Sequence, residues 1–169
     1  MIEKPINFDS AGNIFKVGTV QIQSLIDNIT KNNNFDSAGA IFTFTGTVRN
    51  SSLETKKKVV SIEIDAWEEK AIDSLNKICS DLKEKYHLID IKIWHAIGKI
   101  EVKDTIVYVV LASAHRKEGL QALDGAIDAY KHLSPIWKKE IYENGSFEWI
   151  SKSTGFANQE ISEKTRHIK

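Results

Sequence analysis

Five basic side chains stand at the ends of predicted elements, where they could bind an anion. They are Arg49, His115, Arg116, Lys131 and Lys138. His115 and Arg116 lie where an apolar run changes into a helical pattern, and helix N-termini present free amides that favour anions. This placement indicates a phosphate or carboxylate cradle. The alternative is that both are ordinary polar side chains at the start of a helix.

The two lysines indicate a second kind of chemistry. Lys131 lies about 80° from the centre of its helix's apolar stripe, so we expect its stem to be covered while its ammonium reaches past the helix end. Lys138 follows seven residues later, in a segment held by Pro135 and Trp137 that we predict to be irregular. A partly desolvated lysine has a lowered pKa and can transfer protons or form covalent bonds. A snorkelling lysine without a chemical role is the alternative.

Arg49 follows a strand that ends at Gly46, where a missing side chain would let a ligand approach the backbone. Other chemistries lack their residues, because the sequence has no Gly-x-Ser-x-Gly, no glycine-rich phosphate loop and no His-Glu-x-x-His. The five histidines are scattered, so neither a metal nor a cofactor is predicted. Cys79 is the only cysteine and lies among apolar residues, which predicts a packed core thiol.

The charge balance limits the possible partners. The chain has 169 residues, and its 23 basic and 23 acidic side chains give a formal net charge of zero. That balance disfavours attraction to nucleic acid or to a membrane surface, so an anion site has to be local. No apolar stretch approaches the roughly 20 residues of a spanning helix, and the start of the chain has no secretory pattern. We therefore expect a cytoplasmic protein, with one domain at 1–150 and a flexible polar tail at 151–169.

Hydrophobic periodicity predicts the elements that position these side chains. Period-two alternation predicts strands at 40–46, 60–66, 89–95, 105–113 and 145–150. Helical spacing predicts helices at 19–31, 68–86 and 116–133, the last ended by Pro135. Polar stretches at 49–58, with its three lysines, and at 98–104 predict a mobile loop and a connection. The fold class predicted is α+β, a mixed or antiparallel sheet with two long helices packed on it. The four tryptophans are interpreted as core and interface anchors.

Four segments together resemble one known family. They are GAIFTFTGTVRN, SIEIDAWEEKA, SAHRKEGLQALDGAIDAYKHLSPIWKKE and GSFEW. From Gly39 to Trp149 the chain resembles the large, catalytic subunit of molybdopterin synthase. The resemblance implies a hammerhead-like α/β domain with a small extra sheet. It also implies a dimer of large subunits, with a small ubiquitin-like subunit at each end of a heterotetramer.

The resemblance implies a sulfurtransferase mechanism. Sulfur would pass twice from the thiocarboxylated Gly-Gly terminus of the small subunit to cyclic pyranopterin monophosphate, giving molybdopterin. Lys131 would act in proton transfer or transient covalent bonding, and Lys138 would neutralise the tail carboxylate. Residues matching the substrate-binding positions of the family would bind phosphate and pterin or line the same pocket. They are Thr47, Val48, Arg49, His115, Arg116, Lys139 and Glu140. All of these side chains are expected to converge on one slot.

Some positions depart from the family pattern. Ala96 stands where the family commonly has an arginine, and Lys103 stands where Gly-Asp usually begins a strand. Lys70 and Leu120 replace an expected methionine and phenylalanine, and Lys152 could supply a basic residue to a neighbouring subunit. The missing arginine leaves open a non-catalytic module that binds a Gly-Gly tail or phosphate on the same fold. An enzyme acting on an unrelated phosphorylated substrate is a third hypothesis.

Overall fold

The computed structural model describes residues 6–150, so the predicted tail and Lys152 lie outside the described residues. The strands are β1 (Gly12–Lys16), β2 (Ala40–Thr47), β3 (Val59–Ala66), β4 (Asp90–Glu101), β5 (Thr105–Ser113), β6 (Ile136–Tyr142) and β7 (Phe147–Ile150). The helices are α1 (Ile22–Ile29), α2 (Glu68–Lys85) and α3 (Arg116–Leu133), with a 3-10 turn at Phe35–Ser37. The predicted α+β class is confirmed.

The strands form one seven-stranded sheet in the order β2-β5-β4-β3-β6-β7, with β1 beside β4. All pairings are antiparallel except that of β1 with β4, so the sheet is mixed, as predicted. β2 and β7 are the two outermost strands of this path. Among residues 6–150, no strand pairs with the outer edge of either one.

β4 joins the two halves of the sheet. Asp90–His95 pair with β5, whereas Gly98–Glu101 pair with β3. Gly98 has a φ of 88°, a left-handed conformation that glycine adopts without steric cost. The predicted connection at 98–104 is therefore wrong over its first four residues, because hydrogen bonding to β3 keeps that part of the chain extended. The turn itself is confined to residues 102–104.

The central strands bury both of their faces. Ile93 and Val109 pack in a core with α2 and α3, whereas Trp94 and Val110 pack in a second core with α1. Because both faces are buried, polar side chains on these strands are buried too. Lys92 of β4, for example, is only 2% exposed. Cys79 is 1% exposed, which confirms the predicted core thiol. Each large apolar side chain removed from water in this way stabilises the fold by about 1.5–3 kcal/mol.

Local register accounts for two wrong predictions of burial. Alternation placed Val60 inside and Ser61 outside, but Val60 is 38% exposed and Ser61 2% exposed. The pairing of β3 with β6 shifts register between Val59 and Ser61, which reverses the faces at that point. Leu120, whose spacing along the sequence matches the apolar residues of α3, is nevertheless 55% exposed.

β1 has no counterpart in the sequence prediction, because its five residues are too few to establish a period. A tight contact with α2 positions it. A Cβ atom on Gly12 would lie 2.3 Å from the backbone nitrogen of Asn76. The Asn76 side chain also exchanges hydrogen bonds with the Gly12 backbone at 2.9 and 3.0 Å. Only glycine allows this approach of strand and helix.

Candidate functional site

β6 carries three of the predicted site residues. The segment that contains Lys138 was predicted to be irregular, and this is wrong, because it forms a strand between β3 and β7. Pro135 stands just before the first residue of the strand, where its missing N–H removes no ladder hydrogen bond. Regular strand geometry therefore fixes the side-chain directions, with Lys138 and Glu140 on one face and Lys139 on the other.

Lys138 and Glu140 form an ion pair that is partly shielded from water. The Lys138 ammonium donates to Glu140 Oε1 at 3.0 Å. The exposed side-chain fraction is 34% for Lys138 and 8% for Glu140. The second carboxylate oxygen, Oε2, is buried and has no hydrogen-bond partner in the part of the chain that the structure describes. A buried carboxylate with an unused acceptor is energetically costly, so this pair requires a functional or structural explanation.

Lys139 is held differently on the opposite face. Its ammonium forms an ion pair with Glu63 of β3. The same ammonium lies 5.2 Å from the ring centroid of Phe147 and 5.3 Å from that of Trp149. Cation–π attraction and the neighbouring carboxylate therefore both stabilise the charge. Lys139 is thus engaged by the protein itself, whereas a third of the Lys138 side chain remains exposed.

Arg49 lies where β2 leaves the sheet. The backbone nitrogen of Val48 donates to the carbonyl oxygen of Asp104 at 3.0 Å, which holds this end of the strand against the β4–β5 turn. Thr47 and Arg49 on either side are exposed. The expectation of ligand space over Gly46 is wrong, because a Cβ there would lie 2.7 Å from a methyl group of Val107.

The lysine-rich loop after Arg49 is tied to the end of the sheet. Lys57 pairs with Glu148 of β7, and Lys58 pairs with Glu143 at 2.5 Å. The hydrogen bond that the Lys57 ammonium donates to the Glu148 carboxylate raises the pKa of Lys57. These pairs are exposed, so each contributes little to stability on its own. Residues 49–58 form a loop between β2 and β3, as predicted, and its mobility stays a prediction. No local sequence signal could have indicated ion-pair partners about 90 positions away.

Lys131 lies in the last turn of α3, three residues before the helix C-cap. The residue as a whole is exposed, and the covering of its stem stays a prediction. Tyr130 beside it is buried, and burial raises the pKa of this phenol to about 12. The centroid of the Tyr130 ring lies 5.7 Å from that of the His95 ring, and this contact packs the end of α3 against the sheet.

His115 and Arg116 occupy the other end of the molecule. They are exposed and begin α3 directly after β5. Along the antiparallel β2–β5 pair, Thr47 lies opposite Thr105 and Ala40 lies opposite Ser113. Eight strand residues therefore separate the Arg49 end from the His115 end, a distance of about 26 Å. The prediction that all the cations converge within one copy of the chain is wrong.

A cavity of about 240 Å³ opens beside the β4–β5 turn. Its lining residues are Phe15, Val17, Gly18, Val20, Lys103, Asp104, Thr105 and Tyr108. None of these is a predicted site residue, although Asp104 accepts the hydrogen bond of Val48. Residues 6–150 contain no group of three or more His, Cys, Asp or Glu side chains that could hold a metal ion. No helix in that range is long and apolar enough to cross a membrane.

Two departures from the family pattern have structural explanations. Ala96 is fully buried in the α1-side core, so its position contributes packing rather than charge. Lys103 has a φ of 81°, a left-handed conformation that favours glycine. Lys70 lies on the surface of α2, 3.9 Å from Asp73.

The sequence of this chain is similar to those of several known proteins. A model of the MoaE protein family matches residues 17–133. The molybdopterin synthase catalytic subunit of Bos taurus is 43% identical over 110 residues, which cover 65% of this chain and 57% of the bovine protein. That of Bacillus subtilis is 36% identical over 146 residues, covering 83% of this chain and 91% of the relative. The chain spans little more than half the length of the mammalian relatives that it matches.

Solved structures show the same fold. Molybdopterin synthase from Staphylococcus aureus superposes with a TM-score of 0.70 at 29% identity, covering 82% of this chain and 96% of that one. A Helicobacter pylori complex of subunits 1 and 2 of molybdopterin-converting factor gives a TM-score of 0.65 at 20% identity, covering 85% and 92%. The family model spans well over half of the sequence, and the Bacillus relative is matched over nearly its whole length. The chain therefore belongs to the MoaE protein family.

Proposed function

We propose that this chain is the catalytic subunit of a molybdopterin synthase, a sulfurtransferase of molybdenum cofactor biosynthesis. It would move sulfur from the thiocarboxylated Gly-Gly terminus of a small ubiquitin-like subunit to cyclic pyranopterin monophosphate. In each transfer the thiocarboxylate sulfur bonds to a side-chain carbon of the pterin, and a carbon–oxygen bond at that carbon breaks, its oxygen leaving with the opened phosphate ester or as water. Water then cleaves the acyl–sulfur bond, and the small subunit leaves with an ordinary carboxylate. A cytoplasmic location belongs to this proposal and is supported by the single, unpaired cysteine.

The Lys138–Glu140 pair is the observation that carries the proposal. Glu140 holds the ammonium in one place, while the exposed third of the lysine can meet a second anion. An anionic tail drawn to Lys138 would share the ammonium with Glu140 in a partly desolvated setting, where charge-assisted hydrogen bonds are strong. Lys138 would thus bind the tail and stabilise the carboxylate that develops as sulfur departs.

The other residues extend the same proposal. Lys131 is assigned to proton transfer or transient covalent bonding, since its exposed amine is free to move toward a bound substrate. Arg49, with the backbone of Thr47 and Val48, is assigned to the phosphate and pterin. The carbonyl of Asn50 accepts from Val59 at 3.0 Å, and Val59 pairs with Tyr142 of β6. This contact brings the Arg49 region to the strand that bears Lys138.

A dimer through β2 accounts for the distance to His115 and Arg116. The eight residues of β2 include no charge and no proline, the usual protections of an exposed edge. If β2 pairs antiparallel with its copy, the Thr47 end of one chain lies beside the Ala40 end of the other. Arg49 would then lie about two strand spacings, roughly 10 Å, from the partner subunit's Ser113 and its following His115 and Arg116. Two copies would thereby complete two sites.

A reconstituted reaction tests the activity. Thiocarboxylated small subunit and the cyclic substrate are mixed with the chain, and dithiolene product is measured. We expect product from the wild type and none from Lys131→Ala, with small-subunit binding retained in the variant. The exposed Lys77→Ala serves as a matched lysine control and should remain active. Tail binding without product from the wild type would instead support the non-catalytic module.

Mixing two inactive variants tests the shared site. Arg49→Ala and Arg116→Ala should each be inactive alone. A heterodimer of the two has one site with both arginines intact, so a mixed sample should recover roughly a quarter of wild-type activity. The absence of any recovery, with heterodimers present by native mass spectrometry, would contradict the β2 dimer.

A further inference from the structure

The cavity beside the β4–β5 turn has an apolar floor. The rings of Phe15 and Tyr108 stack there, with their centroids 5.5 Å apart and their planes 15° from parallel. Both rings and Val20 are buried and belong to the α1-side core. None of the side chains to which sulfur transfer is assigned lines this cavity. It is therefore a second concave site on the molecule.

Four polar side chains line the same cavity and have no partner of their own. They are Lys103, Asp104, Thr105 and Tyr108. Within residues 6–150, the ammonium, the carboxylate and the two hydroxyl groups of these side chains make no hydrogen bond or ion pair. Ligand sites typically combine apolar walls with a few polar groups that fix the orientation of the ligand. This cavity has both components.

Lys103 is held at the cavity in an uncommon backbone conformation. Its φ of 81° is left-handed, which glycine adopts without strain but lysine does not. Two backbone hydrogen bonds hold the turn in place, from Lys103 N to the carbonyl of Val48 at 2.9 Å and from Val48 N to the carbonyl of Asp104 at 3.0 Å. Strained residues of this kind cluster at ligand sites. Because the family pattern has glycine here, the cation is a feature of this chain.

The charges at the cavity select the class of ligand. Lys103 would attract a phosphate or a simple carboxylate, but Asp104 would repel it, and a simple amine would meet the reverse. A zwitterion satisfies both side chains, with its carboxylate on Lys103 and its ammonium on Asp104. The hydroxyl groups of Thr105 and Tyr108 can complete the hydrogen bonds of these two charged groups. The charges therefore favour a free α-amino acid.

The volume and the floor of the cavity limit the side chain of that amino acid. The volume of about 240 Å³ corresponds to about eight water molecules at ~30 Å³ each, so the ligand is a small molecule of roughly ten non-hydrogen atoms. Val17 and Val20 join the two rings as apolar lining. An apolar side chain gains free energy on leaving water for such a surface, whereas a polar one does not. Free leucine and phenylalanine have the required size and polarity.

We propose that this cavity binds a free α-amino acid with an apolar side chain, and that its occupancy holds the backbone of Val48 in place. A ligand bound to Lys103 and Asp104 restrains the turn that carries them. The two backbone hydrogen bonds of the turn pass this restraint to Val48, next to Arg49. The inference does not depend on sulfur transfer, since the groups that bind the amino acid belong to a different set of residues.

Matched ligands test the recognition of both charges. Isotope-labelled protein is titrated with leucine and phenylalanine at millimolar concentrations and followed by nuclear magnetic resonance. Leucinamide lacks the carboxylate, and 4-methylpentanoate lacks the ammonium. We expect each of these analogues to bind at least about tenfold more weakly than leucine, because each leaves one charged side chain of the cavity without its partner. Equal affinity for leucine and both analogues would refute recognition of a zwitterion.

Matched variants test the position of the site. Lys103→Gly and Asp104→Asn should each bind leucine at least about tenfold more weakly than wild type. Glycine suits the φ of 81°, so loss of binding in Lys103→Gly does not arise from a misfolded turn. The control is Lys99→Ala, whose lysine is 65% exposed, pairs with Glu101 and lies outside the cavity. It should bind leucine as wild type does.

Hydrogen exchange tests the effect on the backbone. Saturation with leucine should slow exchange of the Val48 amide, which donates to Asp104, and should leave exchange in α2 unchanged. Unchanged exchange at Val48 in saturated protein would refute the coupling. Failure of wild type to bind either amino acid, or wild-type affinity in both cavity variants, would overturn the site itself.

Discussion

Replacing Lys92 with methionine should make the protein more stable. Lys92 is 2% exposed in the middle of β4. Its ammonium donates one long hydrogen bond, 3.4 Å, to the carbonyl of Ser10. Trp94 Nε1 donates to the same carbonyl at 3.2 Å, so removing the ammonium leaves that acceptor satisfied. Burial lowers the pKa of Lys92, and the carboxylates of Asp90 and Asp9 offset only part of this effect.

The expected gain is about 1–3 kcal/mol at pH 7. An ion removed from water loses several kcal/mol of solvation, which one hydrogen bond and two partly solvated carboxylates do not fully restore. Methionine is unbranched and fills the channel of the lysine stem without a polar end. For a chain of this size each kcal/mol raises Tm by roughly 2–4 °C. The variant should therefore melt roughly 2–12 °C higher.

The pH dependence gives an independent measure of the same effect. Because the folded-state pKa of Lys92 is below its ordinary value of 10.5, the unfolded chain binds the proton more tightly between these two values. Wild-type stability should rise with pH through that window. Lys92→Met lacks this contribution, so its advantage should shrink as the pH rises toward 10.5.

Urea unfolding followed by tryptophan fluorescence at several pH values measures both quantities. Lys83→Met, whose lysine is 46% exposed and 3.8 Å from Asp90, is the control and should change stability by less than about 0.5 kcal/mol. A less stable Lys92→Met, or an advantage that does not vary with pH, would refute the reasoning. Either result would mean that the buried ammonium is well paired in the folded protein.

Three further predictions concern particular backbone and side-chain positions. Gly12→Ala should lower the free energy of unfolding by about 2–4 kcal/mol in urea, because its Cβ would meet the backbone of α2 at 2.3 Å; an unchanged midpoint would contradict the close packing of β1. Lys103→Gly should raise the free energy of unfolding by about 0.5–1 kcal/mol, since φ of 81° strains a side-chain-bearing residue, and a lower Tm would count against it. Burial raises the pKa of Cys79 to about 12, so a disulfide reagent at pH 8 should label it only in urea; rapid labelling of the native protein would show that the thiol is accessible.

Long periodic segments could be predicted well from the sequence. The predicted strand at 105–113 and helix at 116–133 match β5 and α3 at both ends. β5 ends at Ser113 and His115 caps α3, so the boundary between strand and helix is confined to one residue. Pro135 prevents the helix from continuing beyond Ser134. β6 was missed because two adjacent lysines and a proline hide a strand whose extended form depends on pairing with β3 and β7. Tertiary pairing overrides local propensity in such segments.

The candidate site was predictable by residue type rather than by arrangement. The sequence identified Lys138 and Glu140, but their pairing on one face follows from β6 being a strand. The separation of Arg49 from His115 depends on the antiparallel register of β2 and β5, which no local pattern contains. The four tryptophans were predicted to be core and interface anchors, but only the pairing of β6 with β7 places Trp149 on the same face of the sheet as Trp137.

The shared strand β4 has a mechanical consequence. Its first half pairs with β5, and its second half pairs with β3, which in turn pairs with the strand that bears Lys138. Because β4 pairs with strands on both sides, neither group of strands keeps all of its backbone hydrogen bonds when the other unfolds. The strands β3, β6 and β7 are therefore expected to unfold together with the helix-covered strands rather than before them.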